Sequence, residues 1–315
     1  MEAWCPWFIE DPAKYAPAIQ GLQEILQQHC PELMEESEGM AEGAGYSSDL
    51  MLGYRLYPAL ISHLKNECSV VFLAGAETGP LLGRNCDINP SFGLEYQLLH
   101  VCRPNDGPAM VGCTFLGMFG IGGTGLNEHG LASGGASAHT LERFGDEGLP
   151  GSILSFLMLK NCGNVAEARA MMSQNSFLGK GLNLIVADDQ SHSVLFEFAP
   201  GKPPPQTTRR PDRNWQACTN FYFSPGIPNR PKQDYLENAY ARYGRIIHRL
   251  DEQMMEHSID NLKQLMTEVA QPGVCCPEGE NRLRTVYSQV MDLKARTMHF
   301  TQGHPAEAEW ETVQL

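Results

Sequence analysis

The sequence predicts an α+β fold, and three features of its patterning carry that prediction. Two stretches near the N-terminus, residues 13 to 30 and the run from Ser47, repeat apolar residues at helical spacing. The middle of the chain holds short runs rich in β-branched and aromatic residues, divided by glycine-rich turns. Asp234 to Ala270 returns to a helical pattern before two closing strand-like segments. Helical and extended patterns therefore come in blocks, not in the strict alternation that builds a parallel sheet.

In the first helical stretch Tyr15, Ile19, Leu22, Ile25 and Leu26 share a face, and Pro31 stands where the helix should stop. Ser47 or Ser48 can cap the next one. There Leu50, Tyr54, Tyr57, Ile61 and Leu64 recur at steps of four and three, and Pro58 is expected to kink or split the helix. Cys68 to Leu73 reads as a strand, Ala74 to Pro80 as a turn, and Leu81 to Asp87 as the returning strand. This hairpin, turning near Glu77, brings Cys68 toward Arg84, Asn85 and Asp87 at its open end. A cation beside a thiol favours the reactive thiolate. A buried structural cysteine beside an ion pair fits the same pattern, and the hairpin alone does not separate the two.

Leu94 to Val101 and Ala109 to Phe115 alternate like strands. Gly120-Ile-Gly-Gly-Thr-Gly125 fits the dinucleotide pattern Gly-x-Gly-x-x-Gly, which marks a site only where it opens a helix. More glycines follow it, so close backbone approach beside strands is the expectation. Gly151 to Lys160 and Asn164 to Met172 read as helices, the second capped by Asn164. Asn183 to Ala187 and Ser193 to Phe198 flank a turn, Lys202 to Pro211 reads as a surface loop, and Val286 to Val290 with Arg296 to Phe300 form a last hairpin.

A length of 315 residues allows one large domain or two, and 42% hydrophobic against 19% charged residues describes a globular chain. The net charge of -14 argues against nucleic acid or an anionic membrane as partner, since both need basic patches. No apolar run is long enough for a membrane span, and Met1 to Pro12 lacks the basic and apolar regions of a secretory signal. The ten cysteines are scattered and show no zinc-ligand spacing. Reduced thiols in a cytoplasm, without metal or organic cofactor, are expected.

Cys68-Ser69 followed by Leu81-Leu-Gly-Arg-Asn-Cys-Asp87 resembles the start of the mature chain in the choloylglycine hydrolase and penicillin acyltransferase-like group. These are N-terminal-nucleophile (Ntn) hydrolases, the second subgroup often called the C45 peptidase family. Glu38 to Gly45 resembles the segment that C45 precursors carry ahead of the nucleophile. Gly125-Leu-Asn-Glu-His-Gly-Leu-Ala132 resembles Gly-Met-Asn-Glu-Lys-Gly-Leu, Thr219-Asn220-Phe221 resembles Thr-Asn-His-Phe, and Thr285 to Asp292 resembles a strand near the family's C-terminus. The matches keep family order from about residue 35 to 305.

The resemblance implies a four-layer αββα Ntn-hydrolase sandwich. It implies a helical pro-segment, residues 1–67, cut autocatalytically between Glu67 and Cys68 and remaining bound as an αβ heterodimer with a catalytic domain of residues 68–315. The activity implied is that of a cysteine amidohydrolase or acyltransferase, acting on the linear, non-peptide C–N bond of a small N-acyl compound through an acyl-enzyme on Cys68. The base would be the freed α-amine of Cys68, whose kind ionises near pKa about 7.7–8.0, within reach of neutral pH. By resemblance Asp87 orients that amine and Arg84 lines the thiolate. Asn220 is the oxyanion donor and the main-chain amide of Ser137 the second. Arg242, in an Arg-Tyr-x-Arg pattern, closes the site, with Arg284 as its rival. Bland readings stand beside these: an ion pair across the hairpin for Arg84 and Asp87, a turn residue for Asn220, a helix-surface arginine for Arg242. Two positions depart from the pattern: Phe221 replaces histidine, and Glu67 replaces the glycine that precedes the nucleophile in the penicillin acyltransferase. The alternative is an unprocessed, non-catalytic homologue that binds an acyl ligand or a partner. Self-association into a homo-oligomer is compatible with either.

Overall fold

A computed structural model describes residues 12–60, 66–89, 97–119, 124–138, 148–179, 181–199, 206–208, 212–229, 233–269, 273–277 and 283–315. The expectations placed on Met1 to Asp11, on Ile61 and Leu64, on Gly120 to Gly123 and on most of the Lys202–Pro211 loop lie outside the described residues.

The chain opens with helices α1 (Pro12–His29), α2 (Pro31–Ala44) and α3 (Ser48–Leu60). Ser47 caps α3 by accepting the Leu50 N–H on its hydroxyl. Pro58 falls in the last turn of α3, which runs as one helix to Leu60. Strands β1 (Asn66–Leu73) and β2 (Leu81–Ile88) pair antiparallel, Cys68 opposite Cys86 and Leu73 opposite Leu81. The Gly79 N–H closes their turn on the Ala76 carbonyl, and Gly79 has φ +126, which favours glycine.

Next come β3 (Gln97–Cys102), β4 (Met110–Phe115), β5 (Gly125–Asn127), β6 (Ala132–Ser137) and the short β7 (Leu149–Pro150). Gly125 opens a strand, not a helix, so the glycine run is no dinucleotide loop. Helices α4 (Gly151–Asn161) and α5 (Val165–Ser173) follow, α5 capped by the Asn164 side chain as expected. Then come β8 (Phe177–Leu178), β9 (Leu182–Ala187), β10 (Ser193–Phe198), β11 (Gln206–Thr208) and β12 (Trp215–Cys218). The helical region Asp234–Ala270 resolves into α6 (Gln233–Ile247), a π-helical turn (His248–Glu252) and α7 (Ile259–Met266). Strands β13 (Arg284–Asp292), β14 (Thr297–Thr301) and β15 (Trp310–Gln314) close the chain.

Among the described residues one sheet has the order β12-β1-β2-β13-β14-β15 and the other β11-β10-β9-β6-β5-β4-β3. The side-chain alternation of β1 shows how they stack. Val70 and Phe72 join a core with Leu126 of β5, Ala132 and Ala136 of β6 and Ile185 of β9, between the two sheets. Val71 and Leu73 face the other way, onto Ile246, Leu262, Leu265 and Met266 of α6 and α7. The outer face of the second sheet (Leu184, Val186, Val194, Phe196) shares one core with Leu154 and Met158 of α4, Met172 of α5 and, from the N-terminal helices, Leu22, Leu26, Leu33, Leu52 and Leu56. The architecture is a four-layer αββα sandwich. Residues ahead of Cys68 supply part of an outer layer and share its core. No helix among the described residues is long and apolar enough to cross a membrane.

The close approach expected of the glycine run is found in β6, where it serves the packing of the two sheets. A Cβ on Gly134 would lie 2.7 Å from Val70 Cγ1, so this residue lets the two sheets close over β1.

Candidate active site

Cys68 is 2% exposed and sits where the inner sheets and α6 meet. Its N–H donates to Asn220 Oδ1 at 2.9 Å and its carbonyl accepts from Arg242 Nη1 at 2.7 Å. Both backbone groups therefore point away from β2. The side chain faces the inter-sheet core, where Arg84 Nη2 donates to Sγ at 3.4 Å. Arg84 is itself fixed by two further hydrogen bonds. Its Nε donates to the Gly135 carbonyl at 2.8 Å, its Nη1 to the Tyr287 hydroxyl at 2.7 Å, and that hydroxyl donates to the Cys113 carbonyl at 3.2 Å.

A register shift in β13 makes this possible. Thr285 pairs with Asp87 and Tyr287 with Cys86, so Val286 is the extra residue of a bulge. The bulge turns Tyr287 into the inter-sheet core beside Arg84 and leaves Thr285 opposite Asp87.

On the helix side of β1, Arg242 of α6 uses all five donors. Nη1 also reaches Ser69 Oγ at 2.9 Å, Nη2 reaches Glu67 Oε2 at 3.0 Å and Asn220 Oδ1 at 2.7 Å, and Nε reaches Asn238 Oδ1 at 2.6 Å. At 2% exposure Arg242 is no surface arginine. Asn220 follows β12 on a segment pinned by Asn183, whose Nδ2 donates to the Thr219 and Phe221 carbonyls at 2.9 and 2.6 Å. Asn220 Nδ2 donates to the Ser137 carbonyl at 2.7 Å and, more weakly, to its hydroxyl at 3.4 Å. In the intact chain the carboxamide thus holds Cys68 N–H with its oxygen and turns its donors to Ser137.

Cys68, Glu67, Arg84, Asn220, Ser137 and Arg242 are brought together by direct hydrogen bonds. Asp87 lies beside them, fully buried, with Oδ1 accepting from Thr285 Oγ1 at 2.6 Å. Its Oδ2 has no partner among the described residues. Arg284 pairs with Glu307, which is exposed on the surface. Cys86, Tyr287, Thr285, Asn183 and Asn238 complete the setting without having been singled out from sequence. Thr285 and Tyr287 stood inside the quoted C-terminal strand pattern, and Cys86 was the variable position of Arg-Asn-x-Asp.

The electrostatics follow from burial. A hydrogen bond from the Cys86 thiol lowers the Cys68 pKa most, the Arg84 guanidinium, the Asp87 N–H and Arg242 lower it further, burial opposes them, and the result is about 5. The Cys86 thiol is pushed well up in exchange. The shared proton belongs on Cys86, because Arg84 and the Asp87 N–H are aimed at Cys68. Burial pushes Asp87 from 3.8 up to about 7, against the pull of Arg242. This pattern balances charge: two guanidiniums, the Glu67 carboxylate and the Cys68 thiolate sum to zero when Asp87 is protonated. An uncompensated buried charge would be costly.

A pH test follows from the raised Asp87. Folded Asp87 holds its proton above the pH at which the unfolded chain releases it, so its contribution is complete below pH 3.8 and is lost as pH rises through about 7. In a Cys68→Ala chain, which cannot cleave itself and keeps burial, the largest cause of the shift, but loses the raising charge of Cys68, the melting temperature should fall over a narrower part of that window. Adding Asp87→Asn should flatten this fall and leave the two chains alike at its acid end. Parallel profiles for both would show that Asp87 is ionised throughout.

Comparison with known proteins gives a consistent result. The profile of the family described as acyl-coenzyme A:6-aminopenicillanic acid acyl-transferase matches residues 75–307. Among solved structures, a mutant of the conjugated bile acid hydrolase from Clostridium perfringens superposes with a TM-score of 0.51 at 13% identity, covering 78% of this chain and 97% of that one. The penicillin V acylase from Agrobacterium tumefaciens gives a TM-score of 0.43 at 15% identity, covering 74% and 82%. The hydrolase likeness is one of fold. No curated protein matches the chain.

Proposed function

The chain belongs to the acyl-coenzyme A:6-aminopenicillanic acid acyl-transferase family, an Ntn-type amide hydrolase or acyltransferase, and from that premise we propose that Cys68 is its nucleophile, exposed as an N-terminus by self-cleavage after Glu67. The observation that carries the proposal is the Cys68 environment: Sγ at 3.4 Å from a buried guanidinium, with its own N–H and carbonyl held by Asn220 and Arg242.

In processing, Sγ attacks the Glu67 carbonyl carbon, the Glu67–Cys68 C–N bond breaks, and the α-amine takes the proton. Water then releases Glu67 as a carboxylate. In turnover the thiolate attacks the amide of a small N-acyl compound. The α-amine passes a proton to the departing amine, leaving an acyl-enzyme for water or an acceptor amine. The new ammonium needs a buried anion, and the unpartnered Asp87 Oδ2 fits that need. Asn220 would have to turn its donors from Ser137 toward the oxyanion, where such a group is worth roughly 10²–10³ in rate. The pro-segment would stay bound, since Leu22, Leu26, Leu52 and Leu56 lie in the shared core. A cytoplasmic setting suits thiols that are unpaired at every described cysteine.

Glu67 supports a competing reading. It lies within the β1 ladder opposite Asp87 and is ion-paired to Arg242, so the bond before Cys68 is held in regular structure. The intact mass of freshly made and of aged protein separates the two. Fragments ending at Glu67 and beginning at Cys68 are expected. A single full-length mass, in protein that turns over no amide, would leave ligand binding without chemistry.

A further inference from the structure

Cys86 stands in a relation to Cys68 that the proposed reaction does not use. The two are directly opposite in the β1–β2 register. Their kind of pairing is settled by where the Cys68 backbone points. Its N–H goes to Asn220 and its carbonyl to Arg242, both on the side away from β2. Cys68 and Cys86 are therefore a non-hydrogen-bonded antiparallel pair, the kind with Cα atoms about 4.5 Å apart and side chains closest. That separation lies inside the range disulfides span, about 4.4–6.8 Å, so a bond between them needs no backbone movement. Both side chains enter the same inter-sheet core, at 2% and 5% exposure. The neighbouring cysteines are placed differently. Cys218 stands opposite Val70, and Cys113 belongs to the facing sheet.

We propose that Cys68 and Cys86 form a reversible disulfide under peroxide, a modification site that takes the nucleophile out of action and shields it from irreversible oxidation. This rests on Cys68 as the reactive thiol of the site. The Cys68 thiolate attacks hydrogen peroxide, the O–O bond breaks, and the products are a sulfenic acid on Cys68 and, after protonation, water. The Cys86 sulfur then attacks the Cys68 sulfur, forming S–S as the S–O bond breaks and a second water leaves. Each sulfur loses one electron and the peroxide gains two. A small dithiol reverses the step by exchange. The Arg84 guanidinium, 3.4 Å from Cys68 Sγ, favours the thiolate that begins the sequence. The Cys86 thiol donates toward that thiolate and so stands ready to resolve the sulfenic acid.

The test is a non-reducing peptide map of the whole protein after mild hydrogen peroxide, followed by dithiothreitol. A Cys68–Cys86 cross-linked peptide, a mass loss of two hydrogens, and its reversal by dithiothreitol are expected. Cys86→Ser should instead carry Cys68 to the sulfinic acid, a gain of two oxygens that dithiothreitol does not undo. A Cys68 that oxidises past sulfenic acid in the parent protein while Cys86 stays free would overturn the proposal. So would a bond from Cys68 to Cys218 or Cys113, or two thiols left unchanged. The map reads the bond itself, so it stands even if a Cys68→Ala chain keeps amide turnover, a result that would sink the nucleophile assignment alone.

Discussion

Cys68→Ala is expected to leave a folded, full-length chain whose amide turnover has fallen by about 10⁴-fold or more, the scale of loss when a covalent nucleophile is removed. The substitution deletes one sulfur from a site whose other anchors do not depend on it. Asn220 and Arg242 hold the Cys68 backbone, which alanine keeps, and Arg84 retains Gly135 and Tyr287 as partners. Folding should therefore survive, while both reactions of the sulfur stop together. Intact mass, a melting curve and turnover of a small N-acyl arylamide read the three outcomes separately. A Cys68→Ala chain that still cleaves after Glu67, or still turns over the arylamide, would move the chemistry to another residue. A chain that loses activity only in proportion to its folded fraction would make Cys68 a core cysteine.

The hairpin was legible in the sequence because strand and turn chemistry are local. Cys68 to Leu73, the glycine and proline turn and Leu81 to Asp87 specify it between them, and the register followed. The helix caps at Ser47 and Asn164 were legible for the same reason. What the hairpin could not show was the use of each face. Residues 67 and 87 look toward α6 while 68, 84 and 86 look into the inter-sheet core, a division set by packing between distant segments. The β13 bulge that aims Tyr287 at Arg84 depends on a pairing across two hundred residues, and nothing in Thr285-Val-Tyr announces it. The pinning of Asn220 by Asn183 is likewise a contact between distant segments, β9 of one sheet and the stretch that follows β12 of the other. In the sequence Glu67 marks the expected cleavage site and a departure from glycine. Its meaning lies in Arg242, which the helical pattern of Asp234–Ala270 gave no reason to bury.

That ion pair yields the second large effect. In a Cys68→Ala chain, Arg242→Met should destabilise by about 3–5 kcal/mol, the usual cost of stranding one member of a buried pair. Methionine fills similar space but strands the Glu67 carboxylate, the residue 68 carbonyl, Ser69 Oγ and Asn220 Oδ1, each now served by the guanidinium. Glu67→Gln should cost less, because a carboxamide oxygen still accepts from Nη2 and Arg242 keeps its other four hydrogen bonds. The double variant should be more stable than the sum of the two losses predicts, since the stranded charge is gone, and that surplus measures the coupling. Denaturant unfolding of the four chains supplies it. An Arg242→Met loss under about 0.5 kcal/mol is what a surface arginine would give. It would contradict the buried network that holds residues 67–69. With Cys68 restored, the same Arg242→Met substitution should slow cleavage after Glu67, because the peptide unit that must be attacked is no longer held.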